Sequence, residues 1–348
     1  MRALRYHAGR GLLLEDVPAP SPGPGEVLIE VRAVGICRTD IEIVEGSHPF
    51  YVNGGPEQPL VPGHEWSGVV RALGEGVEGP PVGTLVTGET GIGCGTCDLC
   101  RIGQHNACAR RVETGIFGRD GAMRELHVHP AALTYPCVGL TPEAAALVEP
   151  ASVGVYAAKR AGVRPGDRVI VLGGGSIGQM AMQAARAYGA TEVFLATRSA
   201  EKLALAQQLG ADATFDAGDA DFVPTVMEHT HGDGVHVVIE ASGNIQSLRD
   251  ALALARPLAR IVILGVFDQP WVQEIGPLVA NEYTLLPTVG SPGVWPLTIS
   301  LMERGRIQAG PLISGRFPIV DYQEAFETVS RGGPMVLKCL LLPGARES

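Results

Sequence analysis

The chain has 348 residues, 45% apolar and 18% charged, with 46 glycines and 26 prolines, so it is long enough for two cores and too apolar for a disordered chain. A formal net charge of -10 without any Lys/Arg block excludes a nucleic-acid partner, and no apolar run reaches the roughly 18 residues that a membrane span needs. Seven cysteines, an odd number, and an N-terminus without a signal-peptide pattern point to a reducing cytoplasm.

Up to about Leu140 the chain reads as short strands between turn signals. "EVLIEVRAVGIC" follows the proline-rich "PAPSPGPG", and "WSGVVRALG" and "GTLVTGE" repeat the pattern. This half is expected to be mostly antiparallel β with few helices. It contains Cys37 in "GICRTD" and His64-Glu65 in "PGHEWSG"; Glu149 follows in "VEPASVG". Thiolate, imidazole and carboxylate are all competent zinc ligands, but spacing does not show that they meet. A lone His or Cys is more often a satisfied core residue, and both readings stand at this point.

Cys94, Cys97, Cys100 and Cys108 form C-x2-C-x2-C-x7-C, with Gly93, Gly95 and Gly103 allowing the backbone to fold tightly. Four thiolates at this spacing can close a tetrahedron around one zinc ion, leaving no open position, so the site is expected to be structural. Two-residue loops make poor disulfides, which argues against paired cysteines. Cys137 and Cys339 read as small buried hydrophobes. Trp66 and Trp295 read as core residues, with a place in a substrate cleft as the alternative.

The pattern changes at Thr141, a plausible helix N-cap with Pro142 at the first helical position of "TPEAAALVEPASVGVYAAKRAGV". Arg168 to Leu172 is an apolar strand, and Ile177, Met180, Ala181, Ala184, Ala185 and Tyr188 then recur at helical spacing. Gly173, Gly175 and Gly178 form G-x-G-x-x-G between them, with Ser176 and Ile177 inside the motif. That context fits a dinucleotide: a tight turn, a close approach to the pyrophosphate and a helix N-terminus facing the anion. Repeated strand–helix units continue to "ARIVILGVF", where Val266 is a further expected cofactor contact, and imply a doubly wound parallel sheet. About twenty residues after the motif, where a carboxylate would hold a ribose 2'-hydroxyl, stand Thr197, Arg198 and Ser199, with Lys202 one turn later. Cations without a carboxylate favour NADP over NAD, the bland alternative being a solvated helix start. From about Asn281 the chain holds a helix ("WPLTISLMERG") and an expected edge strand ("MVLKCLLLP") that returns to the first domain.

Taken in order, "GICRTD", "GHEWSG", the four-cysteine lobe, "EPASVG", "VLGGGSIG" and "GGPMVLK" resemble the zinc-containing medium-chain alcohol and polyol dehydrogenases over essentially the full chain. The resemblance implies an α/β fold: a Rossmann domain at 151–284 and a mostly β, GroES-like catalytic domain at 1–150 plus 285–348. It implies two zinc ions per chain, the catalytic one held by Cys37 and His64 with Glu65, Glu149 and water completing the set. A substrate hydroxyl would bind at the open position and pass hydride to the nicotinamide, with Thr39 beginning the proton exit and Asp40 orienting the loop. Arg38 is similar to an arginine that contacts the cofactor pyrophosphate in simple alcohol dehydrogenases. Glu42 stands where many members carry a relay histidine, and "TDIEIVEG" resembles glucose dehydrogenases. Glu42 is thus a candidate for sugar binding or proton transfer, or a surface glutamate, and His48 is a weaker candidate. The glutamate of "EPASVG" resembles the sorbitol, threonine and glucose dehydrogenase branch.

The implied activity is oxidation of a secondary alcohol of a polyol, sugar or cyclitol. L-Threonine and simple alcohols are the runner-up substrates, and a non-catalytic, cofactor-binding regulatory protein is the alternative from another class. A homodimer or homotetramer is expected, and "GSHPFYVNGGPEQPL" is expected to shape the substrate cleft.

Overall fold

Along the strand Glu26–Ile36 alternate side chains are buried, and the last four residues are all buried as the strand nears Cys37. Val27, Ile29 and Val31 from this strand pack with Trp66 and Val70 of Glu65–Leu73 and Val86 of Leu85–Gly88 in one core. The computed structural model describes residues 1–48, 59–267 and 269–344, so residues 49–58 of the loop expected to shape the substrate cleft lie outside the described residues. The chain divides into two compact units, the first of residues 1–149, 290–303 and 309–348, the second of residues 150–289 and 304–308.

The first unit carries a seven-stranded sheet in the order Thr134–Pro136, Leu85–Gly88, Glu65–Leu73, Glu26–Ile36, Lys338–Leu342, Ile313–Pro318, with Leu126–Pro130 also pairing Glu26–Ile36. One expectation is corrected here. The "MVLKCLLLP" strand is interior, antiparallel to Glu26–Ile36 on one side and parallel to Ile313–Pro318 on the other. Four of its five residues, Lys338 to Leu341, are buried, which is how a strand flanked on both sides reads. Cys137 and Cys339 are fully buried, as are Trp66 and, to 1%, Trp295, so these are core residues.

The second unit is a six-stranded sheet with every pairing parallel, in the order Ala213–Asp216, Glu192–Thr197, Arg168–Leu172, Val235–Glu240, Ala255–Ile263, Thr284–Pro287. The direction of winding reverses between Arg168–Leu172 and Val235–Glu240, and the crevice beyond the carboxyl ends of those strands is where such sheets bind ligands. The helix Ser176–Ala187 buries Met180, Ala181, Ala184 and Ala185. The alanine-rich segment before it forms two helices, Pro142–Ala146 and Val148–Ala161, and Thr141 caps the first by accepting from the Ala144 N–H at 3.2 Å.

Candidate active site

Cys37 ends the strand Glu26–Ile36 and caps the helix Arg38–Glu45. Asp40, fully buried three residues on, accepts the Cys37 N–H at 2.8 Å with one carboxylate oxygen. With the other it accepts the Gly63 N–H at 3.2 Å and stands 3.7 Å from His64 Nδ1. One carboxylate thus ties the thiol's loop to the imidazole's loop. Gly63 has φ +98°, and a Cβ there would lie 2.7 Å from the Met123 side chain, so this close approach needs glycine. Glu65 opens the next strand opposite Gly35, where a Cβ would meet its Oε2 at 2.2 Å. Lys338, buried on the interior C-terminal strand, donates to Glu65 Oε1.

The ligand atoms of Cys37, His64 and Glu65 lie within 4.8 Å of one another. Among the described residues, His64 Nδ1 and Glu65 Oε2 are buried without a hydrogen-bond partner. A zinc ion with bonds of about 2.0–2.3 Å to N, O and S fits that spacing, and thiolate, imidazole and carboxylate are a donor set that zinc accepts. Glu149, in the first turn of Val148–Ala161, is outside this tight group; its Oε1 lies 3.3 Å from the Thr90 hydroxyl.

Burial pushes Glu149 up to about 7, with Glu65 adding to the rise and His64 and Lys338 opposing it. Burial alone would depress the His64 imidazole, but Asp40, the Cys37 thiol and Glu149 outweigh it and hold His64 well above its ordinary value. Burial likewise opposes the charge on Lys338, and Glu65 and Cys37 overcome it. The site is therefore a cluster of mutually dependent charges with little water to screen them.

Thr39 Oγ1 is 3.9 Å from the Cys37 sulfur. Arg38 and Glu42 face one another on the helix, Nε to Oε1 at 3.3 Å, and Arg38, 64% exposed, also reaches Glu45 at 3.7 Å. His48 donates its N–H to the Glu42 carbonyl at 3.1 Å.

All four lobe sulfurs lie within 4.8 Å of one another, with Cys94–Cys100 at 4.0 Å and Cys97–Cys108 at 3.7 Å. A tetrahedron with zinc–sulfur bonds of about 2.3 Å has edges of about 3.8 Å, so the fit is close. The Arg110 backbone donates to Cys108 at 3.3 Å and its guanidinium to Cys94 at 3.2 Å, both favouring thiolates. Hydrogen bonds from the Thr96 backbone and hydroxyl bring Cys94 down to about 5, whereas burial and the adjacent thiols push Cys100 up to about 11.

In the second unit a cavity of about 350 Å³ is lined by residues including Gly173, Gly174, Gly175, Thr197, Arg198 and Ser242. Gly173 turns at φ +117° against Ala241. A Cβ on Gly175 would enter open space, the approach a pyrophosphate needs, and one on Gly178 would sit 1.8 Å from the Gly173 carbonyl oxygen. Ser176 and Ile177 form the first turn of the helix, which Gly175 caps without a side-chain hydrogen bond, leaving backbone N–H groups for an anion. Arg198 is exposed at the rim and has no ion pair among the described residues. Lys202 is outside the lining; its N–H is taken by Ser199 Oγ at 3.4 Å and its carbonyl by Gln179 at 2.9 Å. Val266 is 75% exposed and also outside the lining, its carbonyl crowding Gly243.

A family described as zinc-binding dehydrogenase matches residues 176–304, and one described as alcohol dehydrogenase GroES-like domain matches residues 23–143. The chain is 34% identical to an L-threonine 3-dehydrogenase of Pyrococcus horikoshii, covering 94% of this chain and 95% of the relative. It is 32% identical to a sorbitol dehydrogenase of Arabidopsis thaliana, covering 92% and 90%. A crystal structure assigned as a zinc-binding dehydrogenase of Sinorhizobium meliloti 1021, bound to NADP, superposes with a TM-score of 0.91 at 31% identity, covering 98% of this chain and 99% of that one. The chain belongs to the zinc-containing medium-chain polyol dehydrogenase family.

This polyol-dehydrogenase relative is an alcohol dehydrogenase-type oxidoreductase with a Rossmann sheet and a GroES-like domain. Three residues of the candidate sites escape sequence reasoning. Lys338 is quoted in the "GGPMVLK" ending, but nothing local says that it reaches Glu65, 273 residues away. Thr90 follows a strand and carries no motif. Glu240, fully buried at the switch point, accepts the Ser242 and Gly243 N–H groups at 2.8 and 3.1 Å and so pins the loop lining the cavity. A carboxylate directly after the apolar run Val237–Ile239 in "VHVVIE" is the signal that could have found it.

Proposed function

We propose that this polyol-dehydrogenase relative moves hydride between NADP and a secondary alcohol of a polyol, sugar or cyclitol, and that it carries two zinc ions. The observation that carries the reading is the convergence of half-buried Cys37 with buried His64 and Glu65. Cys37 and His64 would hold the catalytic ion, with Glu65, Glu149 and water in the remaining positions, and the four lobe cysteines would hold the structural one. Zinc so bound supplies Lewis acidity to an alcohol hydroxyl near neutral pH. Asp40 keeps the Cys37 and His64 loops in register, and Lys338 offsets the charge of Glu65. The Thr39 hydroxyl, 3.9 Å from the Cys37 sulfur, would accept a hydrogen bond from the alcohol and begin the proton's exit by giving its own proton on to solvent. Arg38 and Glu42 satisfy each other's charge, which supports a role for Glu42 in fixing the helix rather than in proton transfer.

The first unit is the catalytic domain in this reading and the second the dinucleotide domain. The unpaired Arg198 on the cavity rim favours a 2'-phosphate, in keeping with the NADP bound by the superposed structure. Assembly as a homodimer or homotetramer is supported by the exposed apolar residues Val272, Ile275 and Val279. Seven cysteines without a disulfide among the described residues support a cytoplasmic setting, and among the described residues no helix is long and apolar enough to cross a membrane. The relative of Pyrococcus horikoshii gives L-threonine as the second substrate reading.

An oxidation screen of polyols, aldoses, cyclitols and amino alcohols, with NAD and NADP in parallel, tests the proposal. Turnover of a polyhydroxylated secondary alcohol with NADP is expected. L-Threonine alone as substrate would select the second reading, and zinc-loaded protein inert to every alcohol would leave a cofactor-binding regulator.

A further inference from the structure

Glu89 lies next to Thr90, has 3% of its surface exposed, and its two carboxylate oxygens are each taken by a different part of the first unit. His105 Nε2 is 2.7 Å from Oε2, and the Tyr135 hydroxyl donates to Oε1 at 2.7 Å. His105 belongs to the four-cysteine lobe: its carbonyl accepts the Cys108 N–H at 3.1 Å, and a Cβ on Gly93 would meet both the His105 Cβ at 2.7 Å and the Cys100 sulfur at 2.6 Å. Tyr135 stands on the sheet's outermost strand and stacks on Trp295, ring centroids 6.1 Å apart. Burial and the Glu89 charge both raise the Tyr135 phenol, so it remains a donor. The backbone of this pair is held as well, Glu89 N–H to the Leu133 carbonyl at 3.0 Å and Thr114 N–H to the Thr90 carbonyl at 2.9 Å. One peptide unit further on, the Thr90 hydroxyl reaches Glu149 Oε1 at 3.3 Å and the His64 carbonyl at 3.5 Å.

We infer that Glu89 is a positioning residue that couples the four-cysteine lobe to the reactive cluster: by clamping His105 and Tyr135 it fixes Thr90, which in turn aims the Glu149 carboxylate. The lobe has no place for substrate, but its folding state reaches the reaction through this clamp. A buried carboxylate with both oxygens occupied cannot shift without leaving two donors unpaired, so the clamp has one geometry.

The inference rests on the proposed catalytic zinc site, and the test separates the two. Cobalt(II) is placed at the Cys37–His64 site; its visible band is assigned by its absence in Cys37→Ser and set apart from the lobe by having one thiolate ligand instead of four. Glu89→Ala is expected to shift that band and lower kcat by roughly 10-fold or more, the effect typical of residues that orient ligands, with the alcohol KM within about threefold. Thr90→Val, which leaves the clamp intact, is expected to shift the same band. Glu89→Gln, whose amide oxygen can still accept from Tyr135, is expected to recover part of both. An unshifted band in both Glu89→Ala and Thr90→Val, with a normal band in the parent protein, overturns the inference and spares the zinc site. No cobalt band at Cys37 in the parent protein removes both.

Discussion

A Cβ at Gly178 would lie 1.8 Å from the Gly173 carbonyl oxygen, closer than any side chain permits. The contact sits where helix meets strand, so Gly178→Ala must push the helix N-terminus off the turn. NADP affinity measured by calorimetry is expected to fall by roughly 100-fold, because the backbone N–H groups no longer converge on the pyrophosphate. Arg198 gives a sharper prediction. A charge-assisted hydrogen bond contributes about 1.5–3 kcal/mol, so Arg198→Ala should raise the KM for NADP by about 10- to 100-fold. The KM for NAD should stay within about threefold, and an equal loss for both cofactors would deny the 2'-phosphate assignment. Lys338→Met leaves Glu65 as an uncompensated buried carboxylate, expected to cost about 3–5 kcal/mol in urea unfolding. Removing both charges with Lys338→Met and Glu65→Leu should recover most of that cost.

On the strand Leu126–Pro130, successive inward and outward positions put His127 and His129 in the interior, their rings 5.1 Å from Trp66 and 5.6 Å from each other. Burial depresses both, His129 to about 3, and Arg119 adds to the fall for both residues. The folded state therefore keeps His129 neutral while the unfolded chain protonates it below about pH 6.5. Its contribution to stability is complete above that pH and is lost as pH falls towards 3, at about 1.4 kcal/mol per pH unit. Replacing His129 with Leu should flatten the stability profile between about pH 6.5 and 4.5 by that slope, measured by urea unfolding at stepped pH; a profile unchanged by the substitution would refute the burial account. Elements of this kind are only half legible in a sequence. The period of two in Glu26–Ile36 and the helical spacing after Gly178 are local and can be read directly. That "LHVHP" is a strand with both imidazoles in the interior depends on pairing with Glu26–Ile36, about a hundred residues away.

For the whole molecule, the same division between local and distant decides what sequence reasoning recovers. The lobe and the G-x-G-x-x-G turn are complete within fifteen and six residues and carry their geometry with them. Cys37, His64, Glu65 and Glu149 are visible as residue types, but the convergence of the first three and the contacts of Thr90 and Lys338 come only from the folded chain. The two units also predict separable losses. Cys100→Ser should release about one zinc per chain, measured by metal analysis, and lower the thermal midpoint of the first unit. NADP binding to the second unit, followed by cofactor fluorescence, should stay within about threefold, and its loss would show that the units do not fold separately.

The strand that carries Lys338 is the last of the described strands in chain order and yet lies in the interior of the first sheet. During translation Glu65 is therefore made 273 residues before its counter-ion, and the place beside Glu26–Ile36 stays open until residues 338–342 have emerged. The residues of the parallel sheet at 168–287 all emerge in the interval. A nascent chain that has emerged to about residue 300 carries every strand of the parallel sheet, while the sheet of the first unit still lacks its interior strand and Glu65 its counter-ion.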